Sequence, residues 1–271
     1  MSGMMGKINL LTSGARAIDR VLDIADAPTE NLPPVLRNLS ISIAPGRRLG
    51  VVGRTGAGKT SLINALLQFI DIESGTIYID GVDIATVKID RLRNSISVIP
   101  QDPFLFSGTL RENLSMLGGK TDEELKMVLR KVAATQDGRG SSDALDDLDM
   151  AIQPGGENLS HGQRQMVCLA RAILDPRRIV ILDEATSGVD QVTDSVVQRV
   201  IRREFAESTM IVVAHRLATV ADLDQVLVLD EGMAVESGSP AELMQKKGVF
   251  WDMVNQGGDA ESVRMAIERG S

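Results

Sequence analysis

The apolar residues of this chain fall into short runs punctuated by turn residues. From Leu36 the segment LRNLSISIA alternates apolar and polar positions, the period of a half-buried strand. Pro45-Gly46 marks a turn, and RLGVVG (48–53) reads as a short apolar strand. SLINALLQFI (61–70) predicts a helix, and GTIYI (75–79) and SISVI (95–99) predict strands. RIVILD (178–183) and TMIVVAH (209–215) are apolar without alternation, as expected of strands covered on both faces. VTDSVVQRVIRREF (192–205) predicts an amphipathic helix. DQVLVLD (224–230) and MAVESG (233–238) flank Glu231-Gly232 as a hairpin. Strands alternating with helices predict an α/β domain with a largely parallel sheet.

Two stretches differ in texture. From about Ser107 to Leu174 the chain is helix-rich, with Thr121 as N-cap to DEELKMVLRKVA and Glu124 placed for a capping box. The acidic run SSDALDDLDM (141–150) reads as a solvated loop or helix face. This middle segment is expected to be a helical insertion into the α/β domain. At the N-terminus, INLLTSGARAIDRVLDIAD (8–26) places Ile8, Leu11, Ile18, Val21, Leu22 and Ala25 at roughly helical spacing and predicts a surface helix. Pro28 and Pro33-Pro34 then break any helix and read as a linker.

Composition narrows the function classes. The chain has 271 residues, 43% of them hydrophobic, which supports a sizeable core and excludes disorder as the main state. One cysteine (Cys168) and two histidines (His161 and His215) exclude a disulfide scaffold and a Cys/His zinc cluster. Cys168, on the apolar face of a helix, reads as core, and Trp251 as packing for a C-terminal helix. No stretch approaches the roughly 18–20 apolar residues of a membrane span. The N-terminus is too short and too polar for a secretory signal. A net charge of −8 gives no electrostatic reason to expect nucleic acid as a partner. One Trp, one Tyr and five Phe also leave little from which to build a base-stacking surface.

Chemistry enters at Gly53-Arg54-Thr55-Gly56-Ala57-Gly58-Lys59-Thr60, which fits G-x-x-x-x-G-K-[ST] at every position between a predicted strand and a predicted helix. Its glycines let the backbone turn tightly and aim N–H groups inward, making an anion nest at a helix N-terminus. Lys59 can reach the β- and γ-phosphates of a nucleotide, and Thr60 offers a hydroxyl to Mg²⁺. Ser61 follows on the helix and joins this nucleotide-binding set. Downstream, Ile179-Val180-Ile181-Leu182-Asp183-Glu184 is an apolar strand ending in two carboxylates. Ligands of open α/β sheets lie beyond the carboxyl ends of strands. Asp183 is therefore a candidate Mg²⁺ ligand and Glu184 a candidate to polarise an attacking water. The bland alternative for that pair is a helix N-terminal cap.

These pieces resemble one family. Asn158-Leu159-Ser160-His161-Gly162-Gln163-Arg164-Gln165 resembles the signature sequence of ABC ATPases. Gln101 in VIPQDPFLF resembles the Q-loop, Ser187-Gly188-Val189-Asp190 the D-loop, and His215 the switch histidine. The motifs occur in the family's order and cover about residues 35–257. The wording LPPVLRNLSISIAPGRRLGVVGRTGAGKTSL and GQRQMVCLARAIL is most similar to the second nucleotide-binding domain of the C subfamily, the multidrug-resistance-associated transporters. The first domain of that subfamily usually has Asp at the catalytic Glu position, whereas this chain has Glu184.

The resemblance implies a P-loop NTPase fold of the ABC ATPase type: a mostly parallel sheet, an inserted α-helical subdomain at about 103–174 and a reduced N-terminal antiparallel β part. It implies an ATPase domain over 31–257, preceded by residues 1–30, which resemble the segment after a last transmembrane helix, and followed by a tail, 258–271. It also implies ATP hydrolysis driving transmembrane export at the cytoplasmic face of a membrane. The partners would be the transporter's membrane domains and a second nucleotide-binding domain packed head to tail. Ser160, Gly162 and Gln163 would then bind the nucleotide in the partner's site, together with Asp190. Glu184 would be the catalytic base, His215 would hold the water in line, and Gln101 would sense Mg²⁺ and couple to the membrane helices.

The sequence departs from the family twice. His161 replaces the middle Gly of L-S-G-G-Q, and Pro28 aligns where the family places an adenine-stacking aromatic; residues 1–68 contain no aromatic at all. The family's first strands are expected to be missing here, with weakened ATP affinity and poor discrimination between ATP and GTP. That departure motivates an alternative, a catalytically weak regulatory module binding a partner nucleotide-binding domain. A soluble ABC ATPase of repair or translation is a third class. The lack of tandem domains, coiled-coil insertions and a basic surface argues against it.

Overall fold

A computed structural model describes residues 8–15, 34–116, 118–133, 145, 147–183, 191–214, 216–258 and 260–270. In chain order the elements are β1 (Ile8–Ala15), β2 (Leu39–Ile43), β3 (Arg48–Gly53), α1 (Lys59–Leu66), β4 (Ile72–Ile79), β5 (Val82–Asp83), α2 (Ile89–Arg93) and β6 (Ile96–Ile99). There follow β7 (Gly108–Thr109), α3 (Leu110–Leu114), α4 (Asp122–Ala133), β8 (Ala151–Ile152), α5 (His161–Leu174), β9 (Ile179–Asp183) and α6 (Gln191–Glu204). The chain closes with β10 (Thr209–Val213), β11 (Gln225–Asp230), β12 (Met233–Gly238), α7 (Pro240–Lys246), α8 (Val249–Gln256) and α9 (Ala260–Gly270). They fall into two units, Met1–Ile96 with Thr209–Ser271, and Ser97–Ser208.

In the first unit β3 lies between two parallel neighbours, with Leu49 opposite Ile211 of β10 and Gln225 of β11. β12 returns antiparallel to β11 across the Glu231-Gly232 turn. Both turn residues are left-handed, φ 44° and 78°, the pairing that a two-residue hairpin turn of matching twist requires. Leu49, Val51 and Val52 of β3 and Val226 to Leu229 of β11 are buried, the continuous burial that an apolar run without alternation predicts. Asp224, just before β11, ties down the start of β3: it accepts from Arg48 N at 2.8 Å, Arg48 Nε at 3.2 Å and Arg47 Nη1 at 2.7 Å.

A second sheet of this unit runs β2-β1-β4-β5, each pair antiparallel. Residues 8–15, expected on a helix, are instead its strand β1. Leu10 stands opposite Ile41 of β2 and Ile77 of β4, so ladders on both sides satisfy the backbone, and tertiary pairing overrides the local spacing. Residues 16–26 of the expected helix, Pro28 and Pro33 lie outside the described residues. The helix expected over 61–70 is also shorter, ending at Leu66, with Gln68 at φ 52°. Arg93 satisfies the carbonyls just past that end. Its guanidinium donates to the carbonyls of Leu67 and Gln68 at 3.0 Å each and covers the Phe69 ring at 4.2 Å. Near the C-terminus, Glu236 caps α8 by accepting from Val249 N and Phe250 N, and half-buried Trp251 rides on that helix.

The second unit is built mainly of helices. The Thr121–Glu124 capping box opens α4 as its S/T-x-x-E pattern predicts, and α5 packs on α3 and α4. Cys168 is buried on α5, and burial pushes its thiol pKa up, as suits a core residue. Ile179 to Leu182 of β9 are buried, and β6 lies beside β9 in the sheet order. Residues 141–144 and 146 of the acidic run lie outside the described residues. In its described part, Arg111 binds Asp149 at 3.0 Å and also contacts Asp122.

Candidate functional site

The loop joining β3 to α1 lies in the first unit. β3 delivers Gly53 beside Leu229 of β11, where a Cβ on Gly53 would stand 2.3 Å from the Leu229 carbonyl oxygen. No side chain fits that approach. Ala57 N donates to Arg54 O at 3.1 Å, and Leu62 N to Gly58 O at 3.0 Å as the helix begins. Arg54, Thr55, Gly56 and Thr60 are exposed, Ser61 is half-buried, and Ala57, Gly58 and Lys59 are buried. Gly58 caps α1 at φ 100° without a side-chain hydrogen bond, which leaves the first-turn N–H groups of the helix for a ligand. Lys59 is 6% exposed, and its ammonium donates to Gly53 O at 2.8 Å and Arg54 O at 3.2 Å. A buried cation held by carbonyl dipoles beside a helix start that no side chain caps suits a polyphosphate.

The second unit carries the remaining described candidates. Ser160 caps α5 in a reciprocal box: its hydroxyl accepts from Gln163 N at 3.2 Å, and its own N–H donates to Gln163 Oε1 at 2.8 Å. The S-x-x-Q spacing is the signal that finds this box in the sequence. Gly162 is half-buried in the first turn, and Asn158 braces the approach by bonding Gln153 N and Ala151 O. Among the described residues, His161 Nε2 and both side-chain polar atoms of buried Gln165 have no hydrogen-bond partner. Gln101 is exposed in a segment without regular structure, and Asp183 is the half-buried last residue of β9. Glu184, Asp190 and His215 lie outside the described residues.

Sequence reasoning missed two features. The first is the contact of the predicted Glu231-Gly232 turn with the loop: Gly232 N donates to Ala57 O at 3.1 Å. The second is buried Asn113, which bonds Phe106 N, Phe106 O and Thr109 O and receives Arg171 of α5. This ties the helix that opens at Ser160 to the chain just after Gln101. Neither follows from local pattern, because the partners lie far apart in sequence. Among the described residues no cluster of three or more His, Cys, Asp or Glu side chains is placed to hold a metal ion, and no helix is long and apolar enough to cross a membrane.

A strand, a glycine loop holding a buried lysine, and a helix define an α/β domain of the P-loop class. Residues 36–187 match the family model described as ABC transporter, and the chain belongs to that family, with the α/β fold of an ABC ATPase domain. It is 45% identical over 224 residues to ATP-binding cassette sub-family C member 2 of Rattus norvegicus, which covers 83% of this chain and 14% of that protein. To the probable multidrug resistance-associated protein lethal(2)03659 of Drosophila melanogaster it is 46% identical over 245 residues, 90% of this chain and 18% of that protein. The structure of a bacterial Atm1-family ABC exporter with ATP bound matches with a TM-score of 0.80 at 30% identity, over 93% of this chain and 42% of that chain. The chain therefore spans less than a fifth of the length of these curated relatives.

Proposed function

We propose that this chain is the nucleotide-binding domain of an ABC exporter, the second such domain of a multidrug-resistance-associated type, working at the cytoplasmic face of a membrane. It binds ATP in the loop Gly53 to Ser61 and pairs head to tail with a second nucleotide-binding domain. Ser160, Gly162 and Gln163, at the start of α5, complete the partner's site with Asp190. Thr60, Asp183 and Gln101 would hold Mg²⁺, which would supply positive charge to the phosphates. Thr60 suits this with an exposed hydroxyl on α1, and Asp183 with a carboxylate at a strand's carboxyl end.

Hydrolysis follows from these roles. Lys59 and the loop amides bind the phosphates, so charge moving onto them is already compensated. Glu184 takes a proton from water as the water oxygen bonds to the γ-phosphorus. The bond from that phosphorus to the β–γ bridging oxygen breaks, giving ADP and phosphate. His215 keeps the water in line, and Gln101 relays the state of the site to the membrane domains. Binding closes the pair and hydrolysis reopens it, and the transporter uses that cycle for export.

The observation that carries this reading is Lys59: a nearly fully buried lysine whose ammonium meets the Gly53 and Arg54 carbonyls in a loop whose Gly53 and Gly58 leave no room for a Cβ. Glu184→Gln tests the catalytic assignment. Turnover should fall by at least about a hundredfold while ATP-induced pairing persists. Turnover that survives the change rules Glu184 out as the base.

A further inference from the structure

The phosphate loop is gripped from behind by a turn more than 170 residues later in the chain. Gly232 N donates to Ala57 O at 3.1 Å, and Gly232 O accepts from Arg37 N at 2.8 Å. Arg37 Nη2 adds a bond to Glu231 O at 3.0 Å. The fit leaves no slack. A Cβ on Gly232, at φ 78°, would stand 1.7 Å from Val35 O, and a Cβ on Gly58 would stand 2.8 Å from Leu36 Cδ2 and 3.5 Å from Gly232 Cα. Leu36 is fully buried beneath the loop.

The consequence lies in the Ala57–Gly58 peptide. A trans peptide is planar, with its C=O and N–H pointing in opposite directions. Once the Ala57 carbonyl is fixed on Gly232 N, the Gly58 N–H must point away from the hairpin. Among the described residues that N–H has no protein acceptor. An amide held in one direction without a partner is a preorganised anion donor, since its orientation costs nothing further when a phosphate arrives.

We infer that the Glu231-Gly232 turn is a positioning element for phosphate binding: it aims the Gly58 N–H at the nucleotide by holding the Ala57 carbonyl. Gly232 touches no phosphate itself and acts through Gly58. The inference rests on the ATP-binding reading above and assigns a role to a hairpin that the motif does not include. Leu36 and Arg37 make the same turn the meeting point of the loop with the chain entering the domain.

The test removes the Gly232 N–H as a donor; the ester also weakens the Glu231 carbonyl that accepts from Arg37 Nη2, and Arg37→Ala controls for that bond. In the full chain, assembled with a synthetic C-terminal segment that begins before position 232, glycolate replaces Gly232, so an ester oxygen stands where the N–H was. In the absence of nucleotide, the Gly58 amide resonance should move from its wild-type position. The dissociation constant for ATP should rise about tenfold, the worth of one well-placed hydrogen bond. Gly232→Ala, which pushes the turn off Val35, should weaken ATP in the same direction wherever the variant folds. A folded ester variant with an unmoved Gly58 resonance and unchanged ATP affinity overturns the inference, even if its melting temperature falls. A wild-type chain that binds no ATP overturns the functional reading, and this inference with it. Normal wild-type binding left intact in the ester variant overturns this inference alone.

Discussion

Arg171 holds Asn113 by two oxygens, its main-chain carbonyl and, at 2.8 Å, its side-chain Oδ1. The same guanidinium donates to Phe104 O at 2.8 Å, and Asn113 itself is fully buried with its amide spent on Phe106 and Thr109. A lysine carries the charge but not the planar fork. Arg171→Lys should therefore cost about 2–4 kcal/mol of stability, because acceptors inside the unit lose their donors. Urea unfolding of the two proteins measures this, and coincident midpoints contradict it.

Asp224 sets an acid limit on the first unit. Burial raises its pKa, but the hydrogen bonds from Arg48 N and from the Arg47 and Arg48 side chains outweigh that, and the net shift is downward. A carboxylate with a depressed folded pKa stabilises fully above its unfolded pKa, about pH 4, and loses that contribution as the pH falls through the lower folded value. Asp224→Asn should destabilise the protein at pH 7 and flatten the stability loss below about pH 4. Melting temperatures across that range check it; parallel curves for the two proteins would count against the assignment.

Ser160 caps α5, and the proposed function gives it a second role that substitution can separate from the first. Ser160→Ala removes the cap on α5 and should cost about 1 kcal/mol. Ser160→Asp supplies another good cap and should recover that stability, yet its carboxylate should repel a partner's γ-phosphate and abolish ATP-induced pairing. Thermal melts together with sedimentation in ATP read the two effects separately. Pairing by the Asp variant at wild-type strength excludes Ser160 from the composite site.

Legibility in the sequence tracks how local each feature is. RLGVVG matches β3 residue for residue, because a strand buried on both faces has no polar position to blur it. The Glu231-Gly232 turn and the Thr121 cap are likewise set by residues within a few positions of each other. The N-terminal segment misled because Ile8, Leu10 and Thr12 share a period of two while Ile8 and Leu11 share a helical one. Only the two neighbouring strands decide between them. The apolar pattern after the loop runs past the helix, because nothing local marks the left-handed Gln68 or the distant Arg93 that takes up the carbonyls beyond Leu66. Within the site, the loop was legible as a motif, but its support by Gly232 was not.

Titration of ATP into the chain and into Lys59→Ala is the most direct measurement of the central claim. The Lys59 ammonium, almost unexposed, meets the Gly53 and Arg54 carbonyls, which fixes the position of its charge in the loop. Wild-type binding weakened at least tenfold in a folded Lys59→Ala variant is the predicted result. Equal affinity in the two proteins, or no ATP binding by the wild-type chain, contradicts the account.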